Sequence, residues 1–251
     1  MKTDLDYSII QPHPSIAGFV ESFWMLYNPS DNNKDVVVLP DGRIDIFLSQ
    51  SATEPFDITL MGLGTEYAQS TIVPKTLTFA ISFKPLAAEY VLHQSIAHLC
   101  NQAERLPDNF WGFSVDDMNN FGAFSEKASE KIKSLLTKEP DDRKLQLFHL
   151  IYTSNGSISV KELSEKVFWS SRQINRYFNQ QYGMSLKEYG NIIRFRASLQ
   201  QIADGIFYPE QNFADQSHFI KEIKKLSGVA PKELNLNKND RFIQLSALDK
   251  K

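Results

Sequence analysis

The chain has 251 residues, enough for one large domain or two ordinary ones, with ordinary globular composition (42% hydrophobic, 23% charged). Its one cysteine, Cys100, excludes an intrachain disulfide and a thiolate zinc site within one chain. The net charge of −3, taken as one number, argues against a nucleic-acid binder, but residues 1–140 carry −8 and residues 141–251 carry +5.

The N-terminus has two aspartates within its first six residues and does not read as a secretory signal. No uncharged apolar run reaches the roughly 18 residues of a membrane-spanning helix. A cytoplasmic protein without membrane attachment is expected.

The acidic part reads first as β. GFVESFWML (18–26) and FDITLM (56–61) are strand candidates. VVVLP (36–40) runs through Pro40-Asp41-Gly42 into RIDIFLS (43–49), where Ile44, Ile46 and Leu48 alternate with Asp45 and Phe47. Pro presets φ and Gly accepts positive φ, so a hairpin is expected there. TLTFAISFK (76–84) alternates strictly, the signature of a half-buried strand. From Pro85 the pattern becomes helical, with a helix over 85–93 and irregular helix to about 120. Phe124, Ala128, Ile132 and Leu135 then mark an amphipathic helix over 121–138, which either forms a dimer seam or docks on its own sheet. Glu139-Pro140-Asp141-Asp142 breaks it where the charge reverses, so domains of 1–140 and 141–251 are expected.

The basic part reads as helices alone. Ser159 and Glu162 form a capping box before Val160, Leu163 and Val167. After a break at Phe168-Trp169, Ser170 caps a second helix with Ile174, Tyr177 and Phe178 inward and Ser171, Arg172, Asn175 and Arg176 outward. Two short helices with a tight turn make the helix-turn-helix shape, and these outward residue types reach base edges and phosphates. A solvated basic face explains the same pattern about equally well.

Further motifs follow. Arg176-Tyr177-Phe178, Tyr182-Gly183-Met184-Ser185 and Tyr189 precede Arg194-Phe195-Arg196-Ala197. Asp215-Gln216-Ser217-His218-Phe219, Lys224-Lys225 and Ser227-Gly228-Val229-Ala230-Pro231 come after. Over about 80 residues this resembles the DNA-binding domain of the AraC/XylS family of bacterial transcription regulators. The resemblance implies two helix-turn-helix units joined by one long helix, with recognition helices at about 170–181 and 215–226. It also implies RNA polymerase, a small-molecule effector and a second copy of the chain as partners beside double-stranded DNA. FVESFW (19–24), VLPDGRIDIFL (38–48), GLGT (62–65) and ISFKPLAA (81–88) resemble, more weakly, an N-terminal domain of undefined function found before this DNA-binding domain.

Two departures stand out. Phe168 takes the place of the family's turn glycine, and a Phe enters the left-handed region at a cost, so a differently built turn is expected. Asn212, which tolerates that region, holds the corresponding place in the second unit. Only Ile206 to Ala214 separate Gly205 from Asp215, too short for the unit's first helix.

The implied DNA contacts are Ser170, Ser171, Arg172, Asn175 and Arg176 in the first unit. In the second they are Gln216, Ser217, His218 and Lys221, with Lys224 and Lys225 on phosphates. Arg172 suits guanine and Asn175 adenine. Asp41, Arg43 and Asp45 either line an effector pocket or form an ion pair inside a hairpin. Trp24, with Phe19 and Phe23, either walls such a pocket or packs in the core.

His13, His93, His98, His149 and His218 show no metal-ligand spacing, and Cys100 reads as an inert thiol. Gly62-x-Gly64 lacks the rest of a dinucleotide loop. No metal, cofactor or catalytic activity is expected. The fold expected is α+β, with a mainly β N-terminal domain (small antiparallel sheet or barrel) and an all-α double helix-turn-helix domain. The expected function is sequence-specific double-stranded-DNA binding for transcription regulation. The alternative is an effector-binding or protein-interaction module that keeps a degenerate DNA-binding fold.

Overall fold

A computed structural model describes residues 5–248. The fold is α+β, with an N-terminal antiparallel β part followed by helices. The strands are β1 Asp6–Ile10, β2 Val20–Tyr27, β3 Lys34–Val38, β4 Ile44–Gln50, β5 Asp57–Met61, β6 Ala68–Ile72, β7 Leu77–Phe83 and β8 Ala103–Leu106. Six of them form one antiparallel sheet in the order β1-β2-β7-β4-β5-β8, and β3 pairs with β6 in a second, two-stranded sheet.

The large sheet has two unlike faces, because side chains alternate along each strand. One face is fully apolar. Phe23 pairs with Ile81 and Ile81 with Ile46, and Phe79, Phe83, Leu48 and Leu60 extend the row, all buried. The helix α2, Phe121–Leu135, lies on this face through Phe124, Ala128 and Ile132. The Phe124 ring meets Phe113, Phe79 and Phe23 at 5.3, 5.4 and 6.4 Å between centroids. This buried stripe docks the helix on its own sheet, so the apolar face is not free for a dimer seam. Truncating Phe124 to Ala would cost about 3–5 kcal/mol on general grounds.

The other face is half-buried and mixed: Tyr7, Trp24, Asp45, Phe47, Thr59 and Met61. The strand expected to be half-buried, β7, is instead buried on both faces from Phe79 to Phe83. It is central, and Trp24 and Phe47 pair across it at Ala80, covering that small residue.

Pro40-Asp41-Gly42 does turn the chain, with Gly42 at φ +76°, but it makes no hairpin. It carries the chain from the small sheet to the large one, so β3 pairs with β6 while β4 pairs with β5 and β7. Turn chemistry sets the bend and does not choose the pairing partner; Ile44, Ile46 and Leu48 go where the buried row of β7 is. The helix expected over 85–93 is the single turn α1, Ala87–Tyr90. The irregular stretch after it holds 3-10 turns and the edge strand β8 in place of helix.

The later helices are α3 Asp142–Thr153, α4 Val160–Val167, α5 Ser171–Tyr182, α6 Leu186–Ala203, α7 Gln216–Ser227, α8 Pro231–Leu236 and α9 Ile243–Leu248. Reciprocal capping boxes start α4 (Ser159, Glu162), α5 (Ser170, Gln173) and α6 (Ser185, Glu188). Such caps satisfy N-terminal N–H groups that no intrahelical carbonyl reaches. One continuous apolar core runs from the sheet into these helices. No helix among the described residues is long and apolar enough to cross a membrane.

Candidate nucleic-acid interface

The helices α4 and α5 are joined by Phe168, Trp169 and Ser170. Phe168 sits at φ 54°, ψ 34°, fully left-handed, with 86% of its surface exposed. The turn therefore keeps the geometry that usually asks for glycine, contrary to the expectation from this Phe. The left-handed region costs an L-residue about 1–2 kcal/mol. The well-capped helices on either side hold the turn in place.

On α5, Ile174, Phe178 and Tyr182 are fully buried, which turns Ser171, Arg172 and Arg176 to the surface. Asn175 is half-buried, and its amide donates to Ser171 O at 3.0 Å within the same helix. The Ser170 hydroxyl is spent on the Gln173 cap.

The second unit differs. No helix lies between Gly205 and Asp215, and Asn212 is not among the residues at positive φ. The segment is held by single contacts, such as Gln201 Nε2 donating to Tyr208 O at 2.8 Å. Asp215 caps α7 by accepting from His218 N at 2.7 Å. Phe219, Ile223 and Leu226 are buried, leaving Gln216, Ser217, Lys221, Lys224 and Lys225 exposed. His218 is half-buried: its Nδ1 accepts from Ala214 N and its ring packs edge-on to Phe213.

Most arginines outside α5 are ion-paired, whereas many exposed lysines among the described residues are not. Arg43, Arg105, Arg143, Arg196 and Arg241 each pair with a carboxylate. Among the described residues, Arg172, Arg176, Lys221, Lys224 and Lys225 form no ion pair. Arg194 is a third case, donating to Gly156 O at 2.9 Å beside the Phe213 ring, with burial lowering its pKa. It edges a groove of about 630 Å³ between α4, α6 and α7, which Lys187, His218, Glu222 and Lys225 also line.

Both exposed helices end against the N-terminal part. Gly183 closes α5 at φ +73°, and a Cβ there would lie 2.4 Å from Ala97 O. Beside it Ile96 N and the Ser95 hydroxyl donate to the last carbonyls of α5, at Gln181 and Gln180. Gly228 closes α7 at φ +79°, and a Cβ there would meet the Tyr67 ring at 2.8 Å. Arg241 and Gln244 return to the region of β3: Val37 N donates to Arg241 O, and Leu39 and Gln244 exchange two hydrogen bonds of 3.0 Å.

The four effector candidates come together at the same junction. Trp24 Nε1 donates to Asp45 at 3.4 Å; Arg43 meets Glu21 at 2.9 Å and Asp41 at 3.7 Å. Phe19 and Phe23, in contrast, are core residues. Glu21 also pairs with Arg196 of α6 and, at 3.7 Å, with Lys84. Burial alone would raise the Glu21 carboxyl, but Arg196 and Arg43 outweigh it and hold it below its ordinary value. Tyr189 of α6 donates to Gly42 O at 3.2 Å. Reading the sequence had missed Glu21, Tyr7 and Tyr189 here. The one available signal was Glu21, a charge inside the apolar run GFVESFWML.

No cluster of three potential metal ligands occurs among the described residues. Cys100 is half-buried, and burial, with Glu188 nearby, pushes its thiol up, away from the reactive thiolate.

Residues 8–105, less than half of the chain, match a family described as a domain of unknown function (DUF6597). No curated protein matches by sequence. Solved structures of ToxT from Vibrio cholerae align with most of the chain at low identity. An apo variant from strain SCE256 gives a TM-score of 0.46 at 13% identity, covering 92% of this chain and 97% of that one. ToxT from strain O395 bound to (E)-4-(8-methylnaphthalen-1-yl)but-3-enoic acid gives 0.41 at 14% identity, covering 97% and 100%. The unsaturated fatty acid bound wild type from strain SCE256 gives 0.41 at 12% identity, covering 93% and 96%.

Proposed function

We propose that the protein is a sequence-specific, double-stranded-DNA-binding transcription regulator of the AraC/XylS type. One observation carries the reading: cations without an ion pair gather on the outer faces of α5 and α7, while five of the six arginines elsewhere are paired with carboxylates. Phosphate neutralisation needs cations without competing partners. In this reading α5 and α7 enter successive major-groove segments on one face of the duplex, about one helical turn apart. Arg172 and Arg176 read or clamp the first half-site, with Ser171. Gln216, Ser217 and Lys221 face the second, and Lys224 and Lys225 hold phosphates. Asn175 and His218 must leave their present hydrogen bonds to reach a base.

Residues 1–140 then form the sensing domain, with Trp24, Asp41, Arg43 and Asp45 on its ligand side, and residues 141–251 the DNA-binding domain. The junction at Glu21, Arg196 and Tyr189 links the two. The test is binding of random-sequence duplex by the full chain across a salt series. Enrichment of a motif with a steep loss of affinity in salt is expected; a flat salt titration contradicts it.

A second reading has its own support. The segment before α7 lacks a helix, and Asn175 and His218 are already hydrogen-bonded to nearby backbone groups. A folded chain that retains no DNA fragment would make this a protein-interaction module.

A further inference from the structure

The two exposed helices are held by different sheets. The segment that leaves β7, the centre of the large sheet, holds the first unit. Its Ile96 N and Ser95 hydroxyl donate to the last carbonyls of α5. Glu89 pairs with Lys144 of α3 and accepts from the Tyr177 hydroxyl of α5 at 3.4 Å. Tyr90 accepts from Asp141 N, at the start of α3, at 3.0 Å.

The small sheet holds the second unit. Tyr67, the residue before β6, lays its ring against Gly228, where α7 ends. From there α8 leads to α9, which touches both α6 and β3. Phe242 and Leu245 are buried in the main core, and Ile243 packs on the second cluster with Leu26 and Val36. Gln244 gives and takes a hydrogen bond with the Leu39 backbone, just past β3. The two sheets share no strand pairing among the described residues.

The second unit needs such a support more than the first. With no helix between Gly205 and Asp215, the start of α7 is covered chiefly by the Phe213 ring, 5.1 Å from that of Phe219 between centroids. A helix with few packed neighbours opens locally unless something else fixes it. We propose that the small sheet positions α7 relative to α5, with Tyr67 and Gln244 as the positioning residues. Tyr67 meets α7 about 16 Å along its axis from Ser217, so it acts on a base only through the helix. The spacing of the two reading helices is then set inside the N-terminal part, by how the small sheet sits on the large one. That consequence for DNA rests on the transcription-regulator reading; the placement of α7 does not.

The first test is amide hydrogen exchange of the DNA-free full chain, wild type beside the double variant Tyr67→Ala, Gln244→Ala. We expect exchange about tenfold or more faster in α7, with α5 and β7 unchanged. Tyr67→Phe keeps the ring and should match the wild type. Exchange that rises alike in α5 and α7, or in neither, overturns the proposal. Should the double variant unfold, Tyr67→Ala alone decides by the same criterion. The second test is a footprint on selected duplex, where the variant should lose protection of the α7 half-site and keep that of the α5 half-site. Equal weakening of both half-sites overturns the positioning role. A chain that shows the expected exchange pattern and binds no duplex leaves the placement of α7 standing and sinks the DNA reading.

Discussion

The helices α5 and α7 are the same length, both are capped by a side chain at the start, and both end in a left-handed glycine resting on the N-terminal part. They differ in what stands before them. A complete capped helix and a tight turn precede α5; a run without helix or strand precedes α7. Their outer faces differ too, arginines on one and lysines on the other. Arginine's planar fork suits bidentate base recognition, and lysine's point charge suits phosphate. On the proposed DNA-binding reading, the pair would divide the work, α5 specifying and α7 mainly holding.

The largest expected effect tests how the helices are anchored. Gly183→Ala adds a left-handed strain of about 1–2 kcal/mol and an overpacking cost of about 1–3 kcal/mol against the Ala97 backbone. Gly228→Ala meets only the Tyr67 ring, which can swing, so its loss should be smaller and partly recovered by Tyr67→Ala. Thermal melts of the variants check this; equal losses at both sites would show that the anchors do not differ. Next, Glu21→Gln should cost about 2 kcal/mol, since it leaves Arg196 and Arg43 without their shared carboxylate. The native carboxyl titrates below its ordinary value, so its stabilisation is complete above about pH 5 and fades as pH falls further. Melting curves of the two proteins should converge in acid; a constant gap would deny the ion pair.

Arg172→Ala should cost about 1–3 kcal/mol of binding and relax specificity at one position. Lys224→Ala should weaken all sequences alike and lower the salt slope by about one. A uniform loss for Arg172→Ala would reduce α5 to a phosphate contact and erase the division between the two helices. The smallest effect is at the turn that only the first unit has. Phe168→Gly should stabilise by about 1 kcal/mol, because the exposed ring buries little and the left-handed strain is relieved. A loss of DNA affinity in that stabilised variant would assign the Phe168 ring a contact of its own.

These differences were unevenly legible before the structure. Capping residues are local, so Ser159 with Glu162 and Ser170 marked helix starts that the structure keeps. The missing helix before α7 was a matter of length, and nine residues were enough to decide it. Pairing was not legible in Pro40-Asp41-Gly42, because a turn fixes a bend while β4 finds its partners through burial against a strand some 35 positions on. Phe168 misled for the opposite reason: its local cost is real, but the flanking caps and core outweigh it. The junction of Glu21, Arg43 and Arg196 joins residues up to 175 positions apart, and no spacing rule reaches that far.

The central claim is most directly tested by sequencing the random duplexes retained by the purified chain, wild type beside Arg172→Ala. The account predicts a motif of two half-sites about 10 base pairs apart, with its sharpest positions in one half, and Arg172→Ala should blur one position there. A folded protein that enriches no motif would contradict it.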